Sequence, residues 1–284
     1  MESTQRIKSR IKSIEGTRQI TRSMRLVSTA KMQRSRESTA KNQPFRDETR
    51  RLAALARACM YGESHPYLGG RAVGNTLMVV LSGDRGLCGG HNVGVIRHAM
   101  TAIDELDHPA KVITIGAKAG EYFRRRRIQP VRAFTGISDS PFYSEAAEIA
   151  RVILDLFDSG QADQVLMCCT EFESMFSQHP RIQRLLPVDD GDPADASVSF
   201  EPADASFLRG VIPFYLASAI YGALLESSLC EQCARIVSMD GAVRNADEMI
   251  RRLTLRFNQA RQGVITREIS EIVSGADAVS SNHR

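Results

Sequence analysis

Proline is absent from both ends of the chain. None of the ten prolines stands before Pro44 or after Pro213. Because proline interrupts the interior of a helix, both ends are free to form long helices. We predict one helix over about residues 3–59, with a kink near Pro44. We predict a second over residues 208–276, about 100 Å long at 1.5 Å per residue.

The chain also lacks a long apolar run. Its longest uncharged stretch of note, Gly210–Leu225, is shorter than the roughly 20 apolar residues that cross a bilayer. No apolar segment of a secretory leader follows the early basic residues Arg6, Lys8, Arg10, Lys12 and Arg18. We therefore expect a soluble protein whose link to any membrane is made by a partner.

Metal-ligand clusters are missing too. Cys230 and Cys233 have CxxC spacing, but no second ligand pair stands at a suitable distance along the chain. The six cysteines are predicted to be reduced thiols. Small packing residues are the favoured interpretation of the CxxC pair, over a metal or redox site.

Each end of the chain carries an apolar stripe at helical spacing. The first comprises Ile7, Ile11, Ile14, Ile20, Met24 and Val27. The second comprises Ile236, Met239, Val243, Ala246, Ile250, Leu253, Phe257, Ala260 and Val264, extended on an adjoining face by Ile265, Ile269 and Ile272. A helix with one apolar stripe needs a partner to bury it. We predict that the two ends pair as a protruding antiparallel coiled coil, rather than lying as surface helices on a globular body.

The middle of the chain alternates between two patterns. Apolar β-prone runs occupy residues 76–81, 111–116 and 164–169, and 181–187 is a candidate edge strand. Helical patterns cover residues 92–106, 117–126 and 144–159, and residues 189–204 read as a loop. Strands that alternate with helices predict an α/β fold with a mainly parallel sheet. The predicted domains are residues 1–60, 61–207 and 208–284.

One glycine-rich segment stands where a phosphate loop would be. Residues 82–90, Ser-Gly-Asp-Arg-Gly-Leu-Cys-Gly-Gly, follow the first strand and precede a helix. The lysine of a P-loop and the spacing of a dinucleotide fingerprint are both absent. The glycines are better explained by a tight turn. Neither a triad of the six histidines nor a carboxylate pair completes a site, so we predict no catalytic residues, no metal and no cofactor.

Positive charge is concentrated at the start of the chain. Residues 1–60 hold four lysines and eleven arginines against five acids, a net charge of +10 in a chain of +4. This asymmetry predicts contact with an acidic surface, and nucleic-acid binding is one alternative. The run Arg124–Arg127 is better explained as a solvated helix end than as a nucleic-acid contact. A free-standing nucleotide enzyme on the α/β domain is a further alternative.

Three segments together resemble one family, the gamma subunit of F-type ATP synthases. They are residues 10–32 in the first helix, residues 84–90 in the glycine loop and residues 265–278 near the end. The last segment, Ile-Thr-x-Glu-x-x-Glu-x-x-x-Gly-Ala-x-Ala, matches the family signature at every fixed position. The resemblance covers nearly the whole chain.

The resemblance implies a coiled coil of both ends with an inserted Rossmann-like domain, and a role as rotor shaft without a catalytic site of its own. It implies three alpha and three beta subunits around the shaft. The epsilon subunit and the membrane c-ring would lie at the foot, on the cytoplasmic face of a bacterial cell membrane. No nucleic-acid partner is implied. Rotation of the ring would drive ATP synthesis in the beta subunits.

The family's motifs also imply roles for individual residues. Met24 and Lys31 match first-helix positions near the beta subunit, and Asp84 and Arg85 are implied to shape the foot. The second helix contributes positions that touch the beta subunits or support the coiled coil: Arg235, Arg261, Gln262, Thr266 and Glu268. The chain departs from the family at Arg25, Cys230, Cys233, Gly241 and the four-arginine run.

Overall fold

The computed structural model of the chain describes residues 4–59, 65–69, 71–188 and 205–281. They divide into two compact units, one formed by residues 28–237 and the other by residues 1–27 with 238–284. Two helices contribute to both units: α1, Thr4–Cys59, and α5, Ala205–Ser281. The predicted long terminal helices are therefore confirmed, and Pro44 and Pro213 both lie inside them.

The unit of residues 28–237 contains a five-stranded sheet in the order β3-β2-β1-β4-β5. The other elements, in chain order, are a 3-10 turn (Pro66–Leu68), β1 (Thr76–Leu81), α2 (His91–Asp104), β2 (Ala110–Ile115), α3 (Ala117–Arg125), β3 (Arg132–Phe134), α4 (Tyr143–Asp158), β4 (Gln164–Phe172) and β5 (Gln178–Leu186). The pairs β1–β2, β1–β4 and β2–β3 are parallel, whereas β5 is an antiparallel edge strand. The predicted mainly parallel sheet is confirmed; β3 was missed because three residues carry too little pattern.

Side chains that alternate along β1 enter two different cores. Leu77, Val79 and Leu81 pack with α4 and the first turns of α5. Met78 and Val80 pack on the opposite face with α2 and α3. Because successive side chains of a strand point to opposite faces, a strand that is apolar throughout must be covered by helices on both sides.

Within this unit, α1 and α5 run antiparallel at close range. Thr49 Oγ1 donates to Ser218 Oγ at 2.8 Å, and the hydroxyls of Ser35 and Ser228 lie 3.2 Å apart. A Cβ at Gly222 would lie 2.7 Å from Cδ of Arg46. Small residues allow this approach, and the paired hydroxyls satisfy the polar groups that it buries.

The apolar composition of α5 also reflects its burial inside the protein. By length and composition it qualifies as a candidate membrane span, but 67% of its most apolar window is buried inside the protein. Cys230 and Cys233 are part of this buried face, and all five cysteines whose side chains are described are free. Burial raises the pKa of both thiols, as expected for cysteines that serve as packing residues.

The second unit pairs the first part of α1 with the last part of α5. Arg18 Nη1 donates to Asp247 Oδ1 at 2.7 Å, and Arg25 Nη1 donates to Asp240 Oδ1 at 2.8 Å. As α1 advances by seven residues, its partner on α5 retreats by seven, so these segments are antiparallel as predicted. The same register places Thr4, where α1 begins, opposite Arg261.

The predicted apolar stripes are partly wrong. On α1, Ile20 and Val27 are exposed, whereas Thr21 and Ser28 are buried. Close helix approach favours these smaller side chains, and the Thr21 hydroxyl is satisfied by the carbonyl of Thr17 at 2.8 Å. On α5, burial extends as far as Leu253, but the later apolar residues Val264, Ile265, Ile269, Ile272 and Val273 are exposed. The register explains this, because α1 begins opposite Arg261.

Candidate functional site at the glycine loop

The glycine loop, residues 82–90, leaves β1 and folds against the start of α2. The Gly83 N–H donates to Asn92 Oδ1 at 2.7 Å, and Asn92 Nδ2 donates to the Arg85 carbonyl at 3.0 Å. Leu87 and Gly89 both have positive φ, 62° and 56°. A non-glycine residue in this region is uncommon, so the loop has a specific, internally bonded shape.

Asp84 ties this loop to those that follow β2 and β3. Its Oδ1 accepts from the Ala117 N–H at 2.9 Å and its Oδ2 from the Ser138 N–H at 3.1 Å. The Asp84 N–H donates to Ser138 Oγ at 3.0 Å. Burial alone would raise the pKa of Asp84, but the backbone N–H donors outweigh it and lower that pKa. Asp84 therefore fixes the carboxyl edge of the parallel sheet.

A buried ion pair on α5 meets the same loop. Arg235 Nη2 donates to Glu231 Oε1 at 2.5 Å and to the Gly86 carbonyl at 3.1 Å. Glu231 is 1% exposed and Arg235 is 6% exposed. A Cβ at Gly83 would lie 2.6 Å from Glu231 Oε2. Glycine at this position is therefore what admits the carboxylate.

Opposing effects act on the pKa of Glu231. Burial raises the pKa of Glu231, Arg235 acts to lower it, and Asp139 and Asp84 raise it further, so that the net shift is upward. Arg235 Nη1 also donates to Gln232 Oε1 at 3.1 Å. Removing the arginine would leave the carboxylate buried without a cation.

Asp139, in the segment after β3, holds two cations from different parts of the chain. Lys31 Nζ of α1 lies 2.7 Å from its Oδ2, and Arg85 Nη2 of the glycine loop lies 3.8 Å from the same oxygen. The loop, α1, α5 and the segment after β3 thus meet in a cluster of three acids and three bases. We call it the charged junction: Lys31, Asp84, Arg85, Asp139, Glu231 and Arg235.

His91, the first residue of α2, is buried beside this junction. Within the described chain, neither of its ring nitrogens has a hydrogen-bond partner. Burial, assisted by the positive charge of Arg235, lowers the pKa of His91 to about 4. Chemically, the junction holds opposed charges in place.

Sequence-predicted residues separate into two groups. Lys31, Asp84, Arg85 and Arg235 meet at the charged junction. Met24, Arg261, Gln262, Thr266 and Glu268 belong to the other unit, where Met24 is half-buried and the four α5 residues are exposed. The sequence missed Glu231 and Asp139. An acid four residues before Arg235 is a signal for the first, whereas nothing in the sequence marks Asp139.

Comparisons with known proteins agree over nearly the full length. The sequence model of the family described as ATP synthase matches residues 3–279. The ATP synthase gamma chain of Pelotomaculum thermopropionicum is 38% identical, over 98% of this chain and 100% of that protein. The gamma chain of Symbiobacterium thermophilum is also 38% identical, over 98% and 99% respectively.

Solved structures of low sequence identity share the fold. A chain from the Euglena gracilis mitochondrial ATP synthase (OSCP/F1/c-ring) matches with a TM-score of 0.73 at 17% identity, covering 99% of this chain and 96% of that one. A chain from the Tetrahymena thermophila mitochondrial ATP synthase central stalk and c-ring matches with a TM-score of 0.63 at 23% identity, over 78% and 99%. The family model and the gamma-chain relatives define the class as an ATP synthase subunit. The chain belongs to the ATP synthase gamma chain family.

Proposed function

We propose that this chain is the central rotor shaft of an F-type ATP synthase. The observation that carries the proposal is the match to curated gamma chains along 98% of the sequence. The chain would turn with a membrane c-ring and drive the binding changes of three beta subunits in a ring with three alpha subunits. The epsilon subunit would join it at the foot, and the protein would be peripheral to the cytoplasmic face of a bacterial membrane.

The end of α5 supports this role. In the register set by Arg18 and Asp247, the described part of α1 ends opposite Arg261. Beyond that residue α5 exposes an apolar face that includes Ile265, Ile269 and Ile272. Exposed apolar surface of this extent marks a contact with another protein. We assign this end to the alpha–beta ring, together with Met24, Arg261, Gln262, Thr266 and Glu268.

Ion pairing disfavours nucleic-acid binding by the basic first helix. Arg18, Arg22 and Arg25 pair with Asp247 or Asp240 of α5, and Lys31 pairs with Asp139. Other cations of α1, including Lys8, Arg10 and Lys12, are exposed. Exposed pairs contribute only about 0–1 kcal/mol each, so these cations suit sliding contacts with acidic loops of the beta subunits.

The chain's own residues are proposed to carry force and not to catalyse. The glycine loop, where a phosphate would sit, is bonded to Asn92 and Arg235 of its own chain. Residues 1–60 and 208–284 would form the shaft, and residues 61–207 the Rossmann-like foot. ATP chemistry would take place in the beta subunits.

Reconstitution tests the proposal. Purified alpha and beta subunits are mixed with and without this chain, and co-assembly and ATPase activity are measured. We expect assembly and a gain in activity. Ile265→Asn with Ile269→Asn should weaken assembly, because a polar group would enter an apolar contact. Ser270→Asn, an exposed neighbour on the same helix, is the matched control. The proposal is wrong if the wild-type chain does not assemble with the alpha and beta subunits and does not raise their ATPase activity.

A further inference from the structure

Asp139 connects α1 to the loops at the carboxyl edge of the sheet. Its Oδ2 lies 2.7 Å from Nζ of Lys31 and 3.8 Å from Nη2 of Arg85. The Lys31 and Asp139 side chains are 33% and 31% exposed, so water screens their attraction only in part. At 2.7 Å, this contact is a charge-assisted hydrogen bond with a defined geometry.

The backbone on the acidic side of this contact is held firmly. Ser138, the residue before Asp139, is hydrogen-bonded to Asp84 through both its N–H and its hydroxyl. Asp84 in turn accepts from the Ala117 N–H. Ile137 is buried in the core with α4 and α5. Asp139 is therefore fixed to the sheet, and a force on it is carried into the α/β core.

The basic side of the contact belongs to a different element. Lys31 stands on α1 close to the start of the unit of residues 28–237. The resemblance implies a position near the beta subunit for Lys31, and within this chain its ammonium group donates to Asp139. We infer that Asp139 is a positioning residue that holds α1 against the glycine loop through Lys31. This inference rests on the proposed rotor function: torque passes from the foot to the shaft through the contact between Asp139 and Lys31.

The experiment uses the assembled, membrane-bound ATP synthase. ATP-driven proton pumping and ATP hydrolysis are measured together, and their ratio reports coupling. In Asp139→Asn we expect the ratio to fall about two- to fivefold, the equivalent of about 0.4–1 kcal/mol at 1.4 kcal/mol per factor of ten. Hydrolysis alone should change less, because the alpha–beta ring is untouched. Asp139→Glu should retain coupling.

Lys31→Gln provides an independent route to the same loss if Asp139→Asn does not assemble. The double variant Lys31→Gln with Asp139→Asn should be no worse than the more severe single variant, because both remove one contact. Glu171→Gln is the matched control: it breaks the 2.7 Å pair with Arg181, which lies within the β4–β5 hairpin and does not involve α1.

Two failures are distinguishable. If the wild-type chain neither assembles nor couples, the proposed function is wrong. If the wild type couples and the variants of Lys31 and Asp139 couple as well as Glu171→Gln does, the positioning role of Asp139 is overturned.

Discussion

Replacing Arg235 by methionine tests the buried ion pair most directly. Methionine keeps much of the apolar length of the side chain while removing the guanidinium group. Glu231, at 1% exposure, would lose its hydrogen-bonded cation, and the Gly86 carbonyl would lose its donor. Breaking a buried pair from one side costs about 3–5 kcal/mol, because the remaining charge is uncompensated.

The same helix offers a matched exposed pair. Arg252 and Glu248 have the same spacing on α5, but the Arg252 side chain is 74% exposed. Arg252→Met should change stability by less than about 1 kcal/mol. The double variant Glu231→Leu with Arg235→Met should recover most of the loss, because it leaves no buried charge.

The deficit in unfolding free energy of Arg235→Met relative to wild type should depend on pH in a definite direction. The pKa of Glu231 is already raised above its ordinary value of 4.5, and loss of Arg235 removes the cation that acts to lower it. The folded variant then binds a proton at higher pH than the unfolded chain does. Its stability therefore falls as pH rises from 4.5 toward the folded pKa. The deficit relative to wild type should shrink as the pH is lowered through the same interval.

Urea denaturation followed by circular dichroism measures the free energy of unfolding. Amide exchange along the buried strand β1 reports the unit of residues 28–237 specifically. A loss of stability in Arg235→Met no larger than that in Arg252→Met would refute the role of the buried pair. A loss that does not shrink on acidification would refute it equally.

Two further changes have defined outcomes. His91→Leu should raise stability by about 1–3 kcal/mol, because it removes buried ring nitrogens without partners. The wild type loses stability as pH falls from 6.5 to about 4, because at His91 only the unfolded chain gains the proton. His91→Leu should abolish this loss, and urea titrations across that range check both effects. Gly116→Ala should cost more than about 3 kcal/mol, because its Cβ would lie 2.0 Å from the Ser82 carbonyl oxygen at a φ of 92°. Gly136→Ala, with φ of 83° and open space around the Cβ, should cost only the backbone strain of about 1–2 kcal/mol, and thermal unfolding distinguishes the two.

Local pattern was enough to predict the elements of the fold. The absence of proline at both ends indicated two long helices, because proline acts on the helix that contains it. Apolar runs at residues 76–81 and 164–169 indicated buried strands, since a strand covered on both faces needs no polar side chain. The order of strands and helices then favoured a parallel sheet. Each inference depends on forces between near neighbours along the chain.

Long-range packing was decided only by the tertiary structure. Thr21 and Ser28, not Ile20 and Val27, face inward, because the distance between two helices selects side-chain size as well as polarity. The start of α1 opposite Arg261 left Ile269 and Ile272 exposed, which no spacing on α5 alone reveals. Asp139 meets Lys31 across 108 residues. Such a contact depends on how several loops converge, and the residue types of either partner carry no sign of it.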